Sequence, residues 1–143
     1  MNSKKIAKWG GISLAALFLL YAGSIVWFEA RLGINQPQGA TSLVIATFNN
    51  GERHERVVRL ETIDGKNYVA ANHWPRAWYH QALNNPNVEV KMPGTDSFEP
   101  FEAVNVEGEE DTYVREIYTF GFNFRFRTGF PPRYFLRLEP RQA

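Results

Sequence analysis

The chain has no cysteine among its 143 residues. Disulfides, thiol catalysis and thiolate-held metals are therefore excluded, while the redox compartment stays open. Histidine is almost as scarce. The three present, His54, His73 and His80, are scattered, and no metal-ligand spacing joins them, so no metal site is expected. No Ser-His-Asp context and no glycine-rich phosphate loop occurs either. Net charge is nearly absent, at +1, so nothing in the total points to nucleic acid as a partner. What remains is a chain that is 44% hydrophobic and 15% aromatic, long enough for one domain with a real core.

One long uncharged run exists, from Trp9 to Phe28, with Lys4, Lys5 and Lys8 before it and Glu29 and Arg31 after it. About 20 residues at about 1.5 Å rise span about 30 Å, the thickness of a bilayer core. Trp9, Tyr21, Trp27 and Phe28 put aromatic rings near the two interfaces. A cleavable signal peptide is the rival reading. The length of the run, and the apolar residues that follow Ala22-Gly23-Ser24, favour an uncleaved anchor. The chain then divides into a basic tail (1–8), a transmembrane anchor (9–28), a Gly/Asn/Gln/Pro linker (29–42) and a folded domain (43–143). Three lysines before the anchor predict a cytoplasmic N-terminus and a domain on the periplasmic or external side.

Within the domain, β-favouring runs alternate with turn signals. Strands are expected over 43–48, 56–63, 67–71, 88–92, 98–106 and 134–138, with Val58, Leu60 and Thr62 sharing one face of the second. Asn49-Asn50-Gly51 and Asp64-Gly65 are hairpin turns. Between the third and fourth strands, Tyr68 to Pro86 changes from strand to helix. Pro75 suits a first helical turn, Trp78, Ala82 and Leu83 supply an apolar face, and Asn85-Pro86 stops the helix. Such a helix either plugs the barrel end or borders a pocket for a planar ligand, with Asn72 and His73 at the switch. A second helix follows the acidic patch Glu107, Glu109, Glu110 and Asp111, whose charges complement the helix dipole, with Tyr113, Ile117 and Val114 inward. Tyr113 and Tyr118 are proton donors or, more commonly, packing residues with a wet hydroxyl. Six strands, two short helices and no crossover-length connections predict a mainly β, α+β fold: a six-stranded antiparallel barrel behind one transmembrane helix.

Near the C-terminus, Phe120, Phe122, Phe124 and Phe126 alternate with Gly121, Asn123, Arg125 and Arg127. Period-two spacing predicts an amphipathic strand covering the barrel. From Phe120 onward five arginines face one acid, Glu139. The sharper alternative is a surface lying on the membrane, arginines to phosphates and rings to the acyl boundary.

Several segments together resemble the deazaflavin-dependent nitroreductase and quinone reductase family. They are Arg56-Val57-Val58, Asp64-Gly65 with Tyr68-Val69-Ala70-Ala71-Asn72, Ala77-Trp78-Tyr79, Asn85-Pro86-Asn87-Val88-Glu89-Val90 and the ending Tyr134 to Pro140. The resemblance covers about Leu43 to Pro140 and implies a split β-barrel. It further implies an oxidoreductase passing hydride from a reduced deazaflavin, or alternatively FMN, to a quinone or nitro-type acceptor, and with the anchor read above this makes a membrane-anchored enzyme. Arg56 would hold the cofactor phosphate, Asn72 and His73 would flank the ring, and Trp78, with Tyr79 beside it, would form the wall. The family's turn reads Gly-Arg-Lys-Ser/Thr-Gly, whereas this chain has Asn49-Asn50-Gly51-Glu52-Arg53, leaving Arg53 as the nearby cation. The cofactor-binding candidates are thus Arg53, Arg56, Asn72, His73, Trp78 and Tyr79, with no catalytic residue singled out. The cofactor carries the chemistry in such enzymes, so a triad is not required. The alternative is a non-catalytic anchored module for a lipophilic or haem-like ligand or a partner protein. Pairing into a homodimer stays open.

Overall fold

The computed structural model describes residues 3–36, 39–72 and 76–142. Helix α1 (Ser3–Asn35) is followed by strands β1 (Ser42–Asn49), β2 (Glu52–Ile63) and β3 (Lys66–Ala71). Helix α2 (Ala77–Asn84), strands β4 (Asn87–Lys91) and β5 (Glu99–Asn105), helices α3 (Gly108–Ile117) and α4 (Phe122–Arg127), and strand β6 (Tyr134–Pro140) complete the chain. The strands close into an antiparallel barrel in the order β1-β2-β3-β6-β5-β4.

Two turns set the register. At Asn50-Gly51 and Asp64-Gly65 both central residues have positive φ (51° and 83°, 49° and 76°), the geometry that joins twisted antiparallel strands with two residues. Asn49 therefore pairs with Glu52, and Ile63 with Lys66. Side chains then alternate between two cores. Leu43, Ile45, Val58, Val69, Ala71, Val88, Val90, Leu136 and Leu138 fill the barrel. Ile63, Tyr68, Ala70 and Phe135 point outward to meet Val106, Val114 and Tyr118. Strands β3 and β6 are thus buried on both faces.

Helix α2 plugs the barrel with Trp78, Tyr79 and Ala82. Leu83, expected on its apolar face, is instead 40% exposed, and Tyr79 is buried with Trp78 and Ala82. The helix stops with Asn85 in extended rather than left-handed backbone (φ −134°, ψ 96°), ready to enter β4. Pro75, the expected helix start, lies outside the described residues. Thr47, fully buried on β1, donates from its Oγ1 to Gln81 Oε1 at 2.6 Å and ties the plug to the wall.

Helix α3 carries its acids in the first turn as expected, but only Val114 is buried. Tyr113 and Ile117 are exposed, and Tyr118 just beyond the helix takes the inward place. Thr62 is exposed at the hairpin end, while Val58 and Leu60 face the core.

The largest departure is the phenylalanine segment, which forms α4 and not a strand. A closed barrel has no free edge to pair a further strand. Phenylalanine at every second position also places rings four residues apart, which a helical turn brings together. Phe120 stacks on Phe124 at 5.2 Å and Phe122 on Phe126 at 6.1 Å.

Helix α1 extends through the anchor run to Asn35, into the segment expected as a linker. It is long and apolar enough to cross a membrane.

Candidate functional site

The last turn of α1 docks on β2. A helix end leaves carbonyls without intrahelical partners and favours cations there. The Gly33 carbonyl accepts from Arg56 Nη1 at 3.3 Å, and Gln36 Oε1 accepts from the Val57 N–H at 2.9 Å. Between this helix end, β2, α2 and α4 lies a cavity of about 250 Å³. Arg56, Asn72 and Trp78 line it, under an apolar roof of Leu32, Phe120 and Phe124.

The polar groups of this cavity are unusual. Burial pushes the Arg56 guanidinium below its ordinary value, with Glu29 acting against that shift. Asn72, just after β3, has a buried Oδ1 that no described residue contacts by hydrogen bond. Such an acceptor is costly unless something donates to it. Arg59 is more committed: Nη2 donates to Glu61 Oε2 at 2.6 Å and Nη1 to the Thr119 carbonyl at 3.1 Å, with its plane over Tyr118 and Phe120.

Three of the expected cofactor residues, Arg56, Asn72 and Trp78, thus meet in one cavity. Arg53 does not line it. It sits at the β1–β2 turn, donating to Glu89 and to Glu55 Oε1 (3.0 Å), over the Phe98 ring at 4.3 Å. These carboxylates, Glu89 first, raise its pKa. Tyr79 is also elsewhere, its Oη donating to Asn105 Oδ1 at 2.9 Å and its ring stacked on Tyr134 at 5.4 Å. His73 lies outside the described residues. Tyr118 is a packing residue whose Oη donates to the Arg59 carbonyl at 2.7 Å, and Tyr113 donates to Asp64 Oδ2 at 2.8 Å.

Leu32, Gln36, Phe120 and Phe124 also line the cavity, and sequence reasoning did not select them. The four-residue spacing of Phe120 and Phe124 was the available signal. Nothing local marks the α1 end as a roof.

No protein-family model and no curated protein matches this chain. Solved structures do. An F420-H2-dependent reductase superposes with TM-score 0.50 at 19% identity, covering 69% of this chain and 94% of its own. A FAD-binding protein from Mesorhizobium loti gives 0.52 at 12% identity, covering 71% and 80%. The haem storage protein HutZ from Vibrio cholerae gives 0.50 at 19% identity, covering 74% and 85%. This chain has the split-barrel fold. At such identities the likeness carries the fold and not the ligand. In this split barrel the cavity walls come from β2, α2 and the segment after β3, and the roof comes from α1 and α4.

Proposed function

We propose that the protein is a membrane-anchored oxidoreductase whose cavity holds the ring of a deazaflavin or flavin and whose acceptor is lipophilic, of quinone or nitro type. The observation that carries this is the meeting of Arg56, Trp78 and an Asn72 Oδ1 that has no hydrogen-bond partner among the described residues, beneath an apolar roof. A planar heterocycle with an N–H suits that set: Asn72 Oδ1 accepts from it, Trp78 gives a flat wall, and Arg56 presents positive charge. The cavity is slightly under the about 300–1,000 Å³ of typical ligand pockets. It therefore takes a ring system, with any sugar and phosphate tail outside it and the phosphate paired with Arg56. The bound cofactor supplies hydride transfer, and the protein supplies position and exclusion of water. Reductase and FAD-binding proteins among the structural neighbours support the reading.

The anchor supports a lipophilic acceptor. Leu32 borders the cavity and also a second groove against α1, so the apolar roof is continuous with the helix that would enter the bilayer. On the lysine bias, the N-terminus is cytoplasmic and the barrel external.

One observation favours a different reading, a non-catalytic module for a haem-like or lipophilic ligand or a partner protein. Arg53, the cation of the β1–β2 turn, is already paired with two carboxylates. Titration separates the two. The full chain in nanodiscs, titrated with F420, FMN and haem in turn, should bind one flavin-type ligand saturably. Arg56→Ala should weaken binding by about tenfold or more, the scale of a lost charged contact, and Trp78→Ala, which removes the flat wall, by a similar factor. Absence of saturable binding by either flavin type overturns the enzyme reading, and binding of haem alone favours the module.

A further inference from the structure

The aromatic segment around α4 is packed along the apolar run of α1. Tyr21 Oη donates to the Phe126 carbonyl at 2.9 Å, with the two rings 4.9 Å apart. Phe28 meets Phe124 edge-on at 6.2 Å. Gly129, at φ +75°, presses so close that a Cβ there would lie 2.8 Å from Ile25 Cδ1. The contacts with α1 thus run from Tyr21 to Phe28, about 10 Å of helix inward from the anchor's end. Over this depth Phe122, Phe126 and Phe130 remain 73%, 47% and 43% exposed, clustered ring to ring. A cluster of that size left in water is costly unless something apolar covers it.

Two of the charges lie at matching heights, while Arg125 covers the Phe130 ring at 5.5 Å. Arg127 sits over the Phe28 ring at 4.5 Å and Arg31 over Trp27 at 5.4 Å, both at the end of the apolar run. Between them is a groove of about 330 Å³ lined by Phe28, Arg31, Leu32, Asn35 and Arg127. Neither arginine makes an ion pair among the described residues. We propose that α4 is a second membrane contact, its phenylalanines immersed in the outer leaflet beside α1. The Arg31–Arg127 groove receives the phosphate of a phospholipid headgroup. Immersion of a short aromatic element by about 5–10 Å, with cations at the headgroups, is the usual depth of an interfacial helix. Continuity with the anchor's own apolar surface, together with two cations facing outward, identifies the occupant as lipid. The barrel is then held against the bilayer by two elements and cannot swing freely on α1.

This rests on α1 being embedded in a membrane, and the test separates the two claims. The chain has no cysteine, so single nitroxide labels can be placed by Phe122→Cys, Phe126→Cys, Leu17→Cys and Asp96→Cys in the full chain. These are reconstituted in vesicles of phosphatidylcholine with phosphatidylglycerol. Collision rates with oxygen and with a water-soluble nickel chelate report lipid or water around each label. Labels at 122 and 126 should resemble that at 17 in the anchor, with an oxygen-to-nickel ratio several-fold above that at 96 on the β4–β5 turn. A lipid-like 17 with water-like 122 and 126 overturns the inference and leaves the anchor standing. A water-like 17 overturns both. Arg31→Gln with Arg127→Gln should shift the label at 126 toward water while leaving 17 unchanged, and no shift removes the headgroup groove.

Discussion

The barrel interior and the aromatic ridge of α4 are built from the same kind of residue and end in opposite surroundings. Inside the barrel, Ile45, Val69, Val90 and Leu136 are fully buried, because closure brings six inward faces together around the α2 plug. On the ridge, Phe122, Phe126 and Phe130 touch mainly one another and the flank of α1. The interior is satisfied by folding alone. The ridge is left for something outside the chain, and the cavity lies where the two regions meet, lined by Trp78 from the plug and by Phe124 from α4.

The sharpest way to break this contrast is to truncate one phenylalanine from each region. Phe135, fully buried on β6 against Tyr118, should cost about 3–5 kcal/mol as Phe135→Ala in denaturant unfolding of the detergent-solubilised chain. Phe122→Ala should stay within about 0.5 kcal/mol in the same assay. Comparable losses would make the ridge part of the core. Next in size is Tyr118→Phe, which takes the 2.7 Å donor away from the part-buried Arg59 carbonyl. A loss of about 1 kcal/mol, the net worth of an ordinary hydrogen bond, is expected as a lower denaturant midpoint.

A smaller effect tests the outer core through pH. Glu110 accepts from Arg137 Nη1 and from Tyr68 Oη at 2.7 Å. The Arg137 hydrogen bond holds the Glu110 carboxyl below its ordinary value, and burial, then Glu110, pushes the Tyr68 hydroxyl up to about 12. Glu110 therefore contributes fully above the ordinary carboxylate range and loses that contribution as pH falls through its lowered folded value. Tyr68 contributes fully below its ordinary value of 10.0 and loses it as pH rises toward 12. Midpoints measured across pH should fall at both ends. Glu110→Gln should flatten the acid limb by at most about 1 kcal/mol, since the pair is partly solvated. An unchanged acid limb would assign that loss to other carboxylates.

Most of the barrel was legible because its cues are local. Asp64-Gly65 and Asn50-Gly51 demand positive φ at adjacent residues, and Val88, Val90 and Met92 alternate with Glu89 and Lys91 as a one-sided strand must. The start of β2 was missed because Glu52, Arg53, His54 and Glu55 carry no apolar side chain, and only pairing with β1 makes them a strand. The helix α4 was missed because phenylalanine at every second position satisfies periods of two and of about four alike over so short a stretch. At the site, Arg56, Asn72 and Trp78 were reached through the family resemblance. Leu32 and Gln36 were not, because their place depends on α1 folding back to β2, a contact that no local pattern encodes.

The smallest expected effect separates two arginines three residues apart on β2. Arg53 points to the exposed carboxylates of Glu89 and Glu55, while Arg56 points into the cavity with its guanidinium half-buried against the α1 end. An exposed ion pair is worth at most about 1 kcal/mol, because water screens both partners. Arg53→Gln should therefore move the unfolding midpoint by about 0.5 kcal/mol or less. It should also leave flavin-type binding within about twofold, well short of the about tenfold loss expected for Arg56→Ala. Equal losses at the two positions would show that the ligand reaches the β1–β2 turn. The phosphate side would then belong to Arg53, and the cavity at Arg56 would hold only the ring.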